Sequence, residues 1–158
     1  MEALTRWIHL LALATYFGTT LGLALQLLPA AEMVTDPALQ RRVLARGLRP
    51  YNLLSVGALG VLVISGASSL TEWKALLGHE FARLLWRLVG KLSLTFALIL
   101  VATYVSFGLA HRLVRAELGQ LSVDAAAQAG MIRRMRGGAW LGLALAAWTA
   151  WVGVGLTR

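Results

Sequence analysis

The sequence predicts an all-α fold, in which four membrane-crossing helices form a bundle and a single domain over residues 1–158. Hydrophobic residues make up 58% of the chain and charged residues only 14%, against about 25% charged residues in soluble domains. Four segments are apolar over roughly 20 residues, the length that crosses a ~30 Å hydrocarbon core as a helix. The basic residues cluster at the ends of these segments, as membrane topology produces.

The predicted spans occupy residues 7–28, 51–71, 88–110 and 138–157. The first, second and fourth contain no Asp, Glu, Lys or Arg, whereas the third contains Lys91 near its beginning. The first span is longer than the roughly 7–15 apolar residues of a signal peptide. We therefore expect it to remain in the protein as a transmembrane helix.

The distribution of Lys and Arg predicts the topology. Residues 29–50 carry four arginines and residues 111–137 carry five, which makes nine on one side. The other side carries five, with Lys91 just inside the membrane. Because positively charged loops are retained inside, we expect both termini on the extracytoplasmic side of a cytoplasmic (inner) membrane. The net charge of +8 does not indicate nucleic acid, since it does not form a soluble basic face.

The two basic segments are predicted to be cytoplasmic loops with short helices of their own. Asp36 and Pro37 are suited to a helix start, and Pro50 is expected to end that helix. Ser122 and Asp124 are candidate caps of a second short helix. Their arginine content favours helices that lie on the inner lipid headgroups.

Aromatic residues and glycines complete the predicted frame. Trp7, Trp73 and Trp86 are expected at the outer interface, and Tyr51 and Trp140 at the inner one. The glycine pairs are expected where helices touch, and they also offer faces for homo-oligomers or other membrane subunits. These pairs are Gly18/Gly22 and Gly138/Gly142. The lipid bilayer itself is the expected surrounding of the bundle.

The third span begins with a basic stripe. Lys91, Arg87, Arg83 and His79 are spaced four residues apart, so a helix places them on one face. One interpretation is snorkelling, in which Lys91 reaches lipid phosphate. The other is that the stripe faces the bundle and neutralises a bound anion, such as a haem propionate.

His9 is the second candidate site residue, two residues into the first span. Imidazole is a common ligand of haem and transition metals, although a histidine at this depth can also be a hydrogen-bonded boundary residue. His79 is predicted on the same side and could join His9 at a metal. His111 lies at the opposite membrane face, ~30 Å away, and is interpreted as an interfacial residue.

The sequence lacks the residues that several other kinds of chemistry require. The chain has no cysteine, hence no thiolate metal site or disulfide. No HExxH, GxSxG or phosphate-binding glycine loop is present, which argues against hydrolytic enzymes. No paired intramembrane carboxylates are present, which argues against proton-coupled transport.

Three segments resemble a known group of membrane proteins. "WIHLLALATYFGTTLGL", "LRPYNLLSVGALGVLVISG" and "LLWRLVGKLSLTFALILVATYVSFGLAHRL" resemble the first three helices of the copper-resistance D (CopD) membrane domains and of the HemJ-type protoporphyrinogen oxidases. The resemblance implies that His9 takes the place of a haem b ligand and Lys91 that of the family lysine. The chain has Pro29-Ala30 where HemJ-type proteins usually have Pro-Arg, and Val89 where they have a histidine.

Three functions therefore remain open. The first is a redox protein with haem b near the outer leaflet, held by His9 and by Lys91, Arg87 and Arg83. The second is CopD-like copper handling or transport at extracytoplasmic groups. The third is a non-catalytic accessory subunit of a larger membrane complex. No reaction is assigned, and whether the protein is an enzyme stays open.

Overall fold

The computed structural model describes the backbone of residues 2–77 and 81–155 and the side chains of residues 3–68, 86 and 88–153. The helices are α1 (Glu2–Gly22), α2 (Leu28–Glu32), α3 (Pro37–Leu77), α4 (Phe81–Thr103), α5 (His111–Glu117) and α6 (Ala125–Gly155). Two π-helical segments, Leu23–Leu27 and Tyr104–Ala110, join α1 to α2 and α4 to α5. The described chain thus forms four long helices and contains no strand, so the all-α prediction is confirmed.

Three of these helices are long and apolar enough to cross a membrane, at Ala3–Glu32, Pro37–Ser68 and Leu88–Glu117. Large apolar side chains point outward from them, including Leu53 and Ile64 on α3. Such a surface would be unusual on a soluble monomer, because contiguous apolar patches there are small. The predicted fourth span, residues 138–157, runs beyond the described residues, and it stays a prediction.

The helices are arranged in two closely packed pairs. α1 packs mainly against α3, and α4 mainly against α6. We call the end of the bundle that carries His9 the His9 end. The opposite end carries the arginines of residues 29–50 and 111–137, and we call it the basic end.

The basic end differs from the prediction of short surface helices, because both predicted helices are continuous with the spans. α3 runs from Pro37 through Pro50 to Leu77, and α6 runs from Ala125 to Gly155. The predicted helix end at Pro50 is therefore wrong. Proline removes one backbone donor and disfavours a helix interior. Packing holds the helix across this point, since Leu48 and Tyr51 are both buried.

The predicted helix starts at the two aspartates are confirmed. The Asp36 carboxylate accepts hydrogen bonds from the backbone N–H groups of Ala38 (3.1 Å) and Leu39 (3.2 Å). The Asp124 Oδ1 atom accepts one from the N–H of Ala127 at 2.6 Å. Each carboxylate thus satisfies donors that have no partner within the helix.

The core consists of two apolar clusters at different heights. The cluster at the basic end includes side chains from all four long helices, among them Leu28, Leu44, Leu48, Leu113 and Met135. The cluster towards the His9 end is smaller and includes Ala12, Leu59, Leu62, Leu98 and Ala146. Polar and charged contacts also join the helices at the basic end. Glu117 pairs with Arg41 and Arg42, Glu32 with Arg136, and Gln128 donates to Gln40.

The two glycine pairs have different surroundings. A Cβ atom added at Gly138 or Gly142 would meet Val105 or the Tyr16 hydroxyl of the same chain. This pair marks close packing within the bundle, as predicted, so it is covered by the protein itself. An added Cβ at Gly18 or Gly22 has no described neighbour within 4 Å.

Candidate functional site

His9 belongs to the buried face of α1. The inward residues Ala12, Tyr16 and Thr20 follow His9 at intervals of three or four, the spacing that keeps residues on one helix face. His9 is half-buried at the top of this stripe. The polar side chains of this face, Tyr16 and Thr20, therefore point into the interior of the bundle.

Ser65 holds the His9 ring against α3. The His9 Nδ1 atom lies 2.8 Å from Ser65 Oγ, and Ser65 is buried. A Cβ atom on the adjacent Gly66 would lie 3.8 Å from His9 Cε1, an ordinary packing distance. The ring is thus fixed between a hydrogen bond and the α3 backbone.

The hydrogen bonds of Ser65 assign the proton of the neutral His9 ring. A serine hydroxyl has one proton to donate, and Ser65 Oγ donates it to the Val61 carbonyl at 2.6 Å. We therefore assign Ser65 Oγ as the acceptor in its contact with His9, which places the ring proton on Nδ1. The lone pair of His9 consequently lies on Nε2, which has no hydrogen bond within the described residues.

Lys91 enters the bundle from the opposite helix pair. Its helix face carries the buried residues Leu88 and Leu98, and Lys91 itself is half-buried. Its Nζ atom lies 3.3 Å from the position of a Cβ atom on Gly153 of α6. The amine therefore lies against α6.

The other predicted site residues lie wholly or partly outside the described part of the chain. Arg83 and Arg87 are on the α4 backbone, but their side chains are outside the described residues, and His79 lies outside altogether. The basic stripe therefore stays a prediction. His111 is exposed at the start of α5, well away from His9.

Among the described side chains at the His9 end, His9 can form one bond to a metal. Within the described residues, no group of three His, Cys, Asp or Glu side chains comes together. The described part of the site offers the oriented imidazole of His9 and the ammonium of Lys91 on the other helix pair. This arrangement can bind a metal that brings its own ligands, together with an anionic group.

A second polar group lies deeper, and the sequence interpretation missed it. Tyr51 was expected at the membrane interface, yet only 6% of it is exposed and it faces the core. Its hydroxyl interacts with Thr20, Ser55 and Ser106. The sequence does contain a signal, because Tyr51, Ser55 and the buried Leu62 and Ser65 fall on one face of α3 at helical spacing.

Comparisons with family models, with curated proteins and with solved structures give no match to this chain. Its function therefore has to be argued from its own residues.

Proposed function

We propose that the protein spans the cytoplasmic membrane four times, with both ends of the chain on the extracytoplasmic side. We also propose that it binds haem b near the outer leaflet. His9 would hold the haem iron through a ring nitrogen, and Lys91 would pair with a propionate. The excess of arginine at the basic end supports this orientation. The resemblance of the first three spans to CopD and HemJ-type proteins supports the same interpretation.

The observation that carries the proposal is the hydrogen bond between His9 and Ser65. Metal-bound histidines commonly donate their second ring N–H to an oxygen, which fixes the ring and increases the basicity of the ligating nitrogen. Ser65 Oγ accepts from Nδ1 in this way. The free Nε2 is the remaining ligand atom, and haem iron needs only one from this side chain.

The donor set fits haem better than a bare copper ion. Haem supplies four of its own nitrogen ligands, whereas bare copper takes several from the protein. Within the described residues, no group of three His, Cys, Asp or Glu side chains could hold a metal ion. Copper binding would have to recruit His79, and we keep copper handling as the alternative.

The Lys91 ammonium supplies the charge that a propionate requires. Its Nζ and Cε atoms lie 3.3 and 3.6 Å from the position of a Cβ atom on Gly153 of α6. A lysine in a span tends to face the protein interior and to pair with an opposite charge. We further propose that Arg87 and Arg83 extend this positive surface towards the aqueous phase.

Bound haem would supply one-electron chemistry, and the residues of this chain would bind and orient it. The Ser65 hydroxyl orients His9, and Lys91 fixes the acidic edge. We therefore propose a redox role and assign no substrate.

The first prediction tests haem binding. The protein extracted from membranes in mild detergent should show a Soret absorption band, and His9→Ala should abolish it because the axial ligand is lost. His111→Ala is the matched control, since this exposed histidine lies towards the basic end. Absorption spectra normalised to protein concentration provide the measurement.

The other outcomes separate the alternatives. A Soret band of unchanged intensity in His9→Ala would contradict the axial role. Stoichiometric copper in a haem-free preparation, measured by elemental analysis, would favour copper handling. A folded protein without colour or metal, purified from cells supplied with haem and copper, would favour an accessory subunit.

A further inference from the structure

Three buried hydroxyl groups in the centre of the bundle form no hydrogen bond to their own helix, unlike six other Ser and Thr side chains of the spans. Six Ser and Thr side chains donate to the carbonyl one turn earlier, the usual arrangement in membrane helices. These six are Thr15, Thr19, Ser65, Ser68, Thr95 and Thr149. Thr20, Ser55 and Ser106 form no such bond, and their oxygens are buried without a hydrogen-bond partner among the described residues. Their protons remain available for another acceptor.

The three hydroxyls come from different helices and converge on one phenol. Thr20 lies on α1, Ser55 on α3 and Ser106 in the π-helical segment after α4. All three are at most 1% exposed and interact with the Tyr51 hydroxyl. These contacts do not have the geometry of regular hydrogen bonds. A phenol oxygen also offers only one proton and two lone pairs, so it cannot satisfy three converging hydroxyls and its own proton equally well.

The fourth side of this group is formed by Tyr16 and α6. Tyr16 is 1% exposed, and its hydroxyl interacts with Thr20. The same hydroxyl lies 2.8 Å from the position of a Cβ atom on Gly142. The polar group therefore spans the whole cross-section of the bundle, between the two apolar clusters of the core. We call Tyr16, Thr20, Tyr51, Ser55 and Ser106 the hydroxyl layer.

Both π-helical segments are adjacent to the hydroxyl layer. Leu23–Leu27 begins three residues after Thr20, and Tyr104–Ala110 contains Ser106. A π-helical turn displaces the backbone hydrogen bonds from their regular register, is rare, and occurs frequently at functional sites. Two such segments at the same height indicate that the helices are shaped around this polar group.

We propose that the hydroxyl layer is a binding site for ordered water within the membrane-spanning part of the bundle. A buried water usually forms about three hydrogen bonds to otherwise unsatisfied polar groups. Water bridging Tyr51 to Thr20, Ser55 and Ser106 would provide these bonds. The proposal does not depend on haem binding at the His9 end.

The chemistry of the layer favours a neutral ligand over an ion. Its side chains are all uncharged hydroxyls. The acidic side chains that the structure describes lie at the basic end, among them those of Glu32 and Glu117. A cation held here would be buried without an opposite charge, which is costly in a low-dielectric interior. Water can both donate and accept, as the mixture of hydroxyls requires.

The direct test is an experimental structure of the detergent- or nanodisc-embedded protein at a resolution that shows ordered solvent. We expect density for water between the Tyr51 hydroxyl and the oxygens of Thr20, Ser55 and Ser106. Direct hydrogen bonds among these four side chains, with no solvent density between them, would overturn the proposal.

A second test measures thermal unfolding of Thr20→Val and Ser106→Ala. If the hydroxyls are bridged by water, each substitution strands a partner, and we expect the Tm to fall by about 2–4 °C, typical of one lost hydrogen bond in a chain of this size. Thr15→Val and Ser68→Ala are matched controls, because these exposed hydroxyls bond only to their own helix.

Two results of the unfolding experiment would contradict water binding. If the layer is dry, removal of an unpaired buried hydroxyl should leave the Tm unchanged or raise it. If the ligand is a cation, sodium chloride should raise the Tm of the unmodified protein above its value in choline chloride. That difference should also disappear in Thr20→Val.

Discussion

Ser65 has one hydroxyl proton, and its direction decides which nitrogen of His9 is available. Because the proton goes to the Val61 carbonyl at 2.6 Å, His9 donates from Nδ1 and presents Nε2. Nothing in the primary sequence indicates this, since Ser65 is 56 residues from His9 and is one of several serines in an apolar helix. The sequence suggested His9 as a ligand, but only the pairing of α1 with α3 shows how the ring is held.

The Ser65 assignment leads to a prediction about haem affinity. In Ser65→Ala the imidazole loses its orienting acceptor, and we expect haem affinity to fall about 10–100-fold, as for other partners of metal-bound histidines. Haem titration of the apo-protein provides the measurement. Ser68→Ala is the matched control. The Ser68 hydroxyl donates to the Ile64 carbonyl on the exposed side of α3, so this variant should bind haem normally. Equal affinities in both variants would remove Ser65 from the site.

Substitution of Lys91 should affect the unfolding temperature and the haem affinity differently. Lys91→Met keeps the apolar stem and removes a charge that is costly inside a span, so the apo-protein should unfold at the same or a higher temperature. Haem affinity should fall by roughly tenfold or more, because a charge-assisted bond to a propionate is lost. Arg46→Met is the control, because it makes the same kind of change at an exposed position. Unchanged haem affinity would support snorkelling to lipid instead.

At the level of the elements, the length of the apolar segments predicted the three spans that the structure describes. It did not predict that the helices continue from the spans into the basic segments. Pro50 was interpreted as a helix end because local propensity disfavours proline inside a helix. Burial of Leu44, Leu48 and Tyr51 on one face outweighs that local cost. This packing involves residues from other helices, and a single sequence does not show them. The burial of Tyr51 in the core was not predicted for the same reason, and its position relative to the membrane interface stays a prediction.

The packing of α1 against α6 gives a prediction with a built-in control. Gly142→Ala would place a methyl group 2.8 Å from the Tyr16 hydroxyl, and we expect a destabilisation of about 1–3 kcal/mol, as for other overpacked interiors. Gly18→Ala has no described neighbour within 4 Å, so it should be neutral or slightly stabilising. Unfolding in detergent measures both.

The cause of the Gly142→Ala effect can be isolated by a double-mutant cycle. If the added methyl group collides with the Tyr16 hydroxyl, Gly142→Ala should cost less in a Tyr16→Phe background, where that oxygen is absent. Additive effects of the two substitutions would show that the destabilisation arises elsewhere on α6.

At the level of the whole molecule, the two ends of the bundle have different chemistry. The basic end is closed by ion pairs and by an apolar cluster in which Leu28, Leu44 and Leu113 are fully buried. The His9 end carries the half-buried side chains of His9 and Lys91. We therefore expect a ligand to enter at the His9 end. The proposed orientation makes that entrance extracytoplasmic.

The orientation can be tested directly because the chain contains no cysteine. Ser122 lies between α5 and α6 at the basic end, and Ala3 lies near the start of α1, and both are exposed. The labelling is done in cells whose cytoplasmic membrane is intact and whose outer layers admit the reagent. A maleimide that does not cross the cytoplasmic membrane should label Ala3→Cys and leave Ser122→Cys unlabelled. After the membrane is opened with detergent, both should react, which controls for local accessibility. The reverse pattern would place the arginines outside and His9 in the inner leaflet, and it would require haem to be supplied from the cytoplasm.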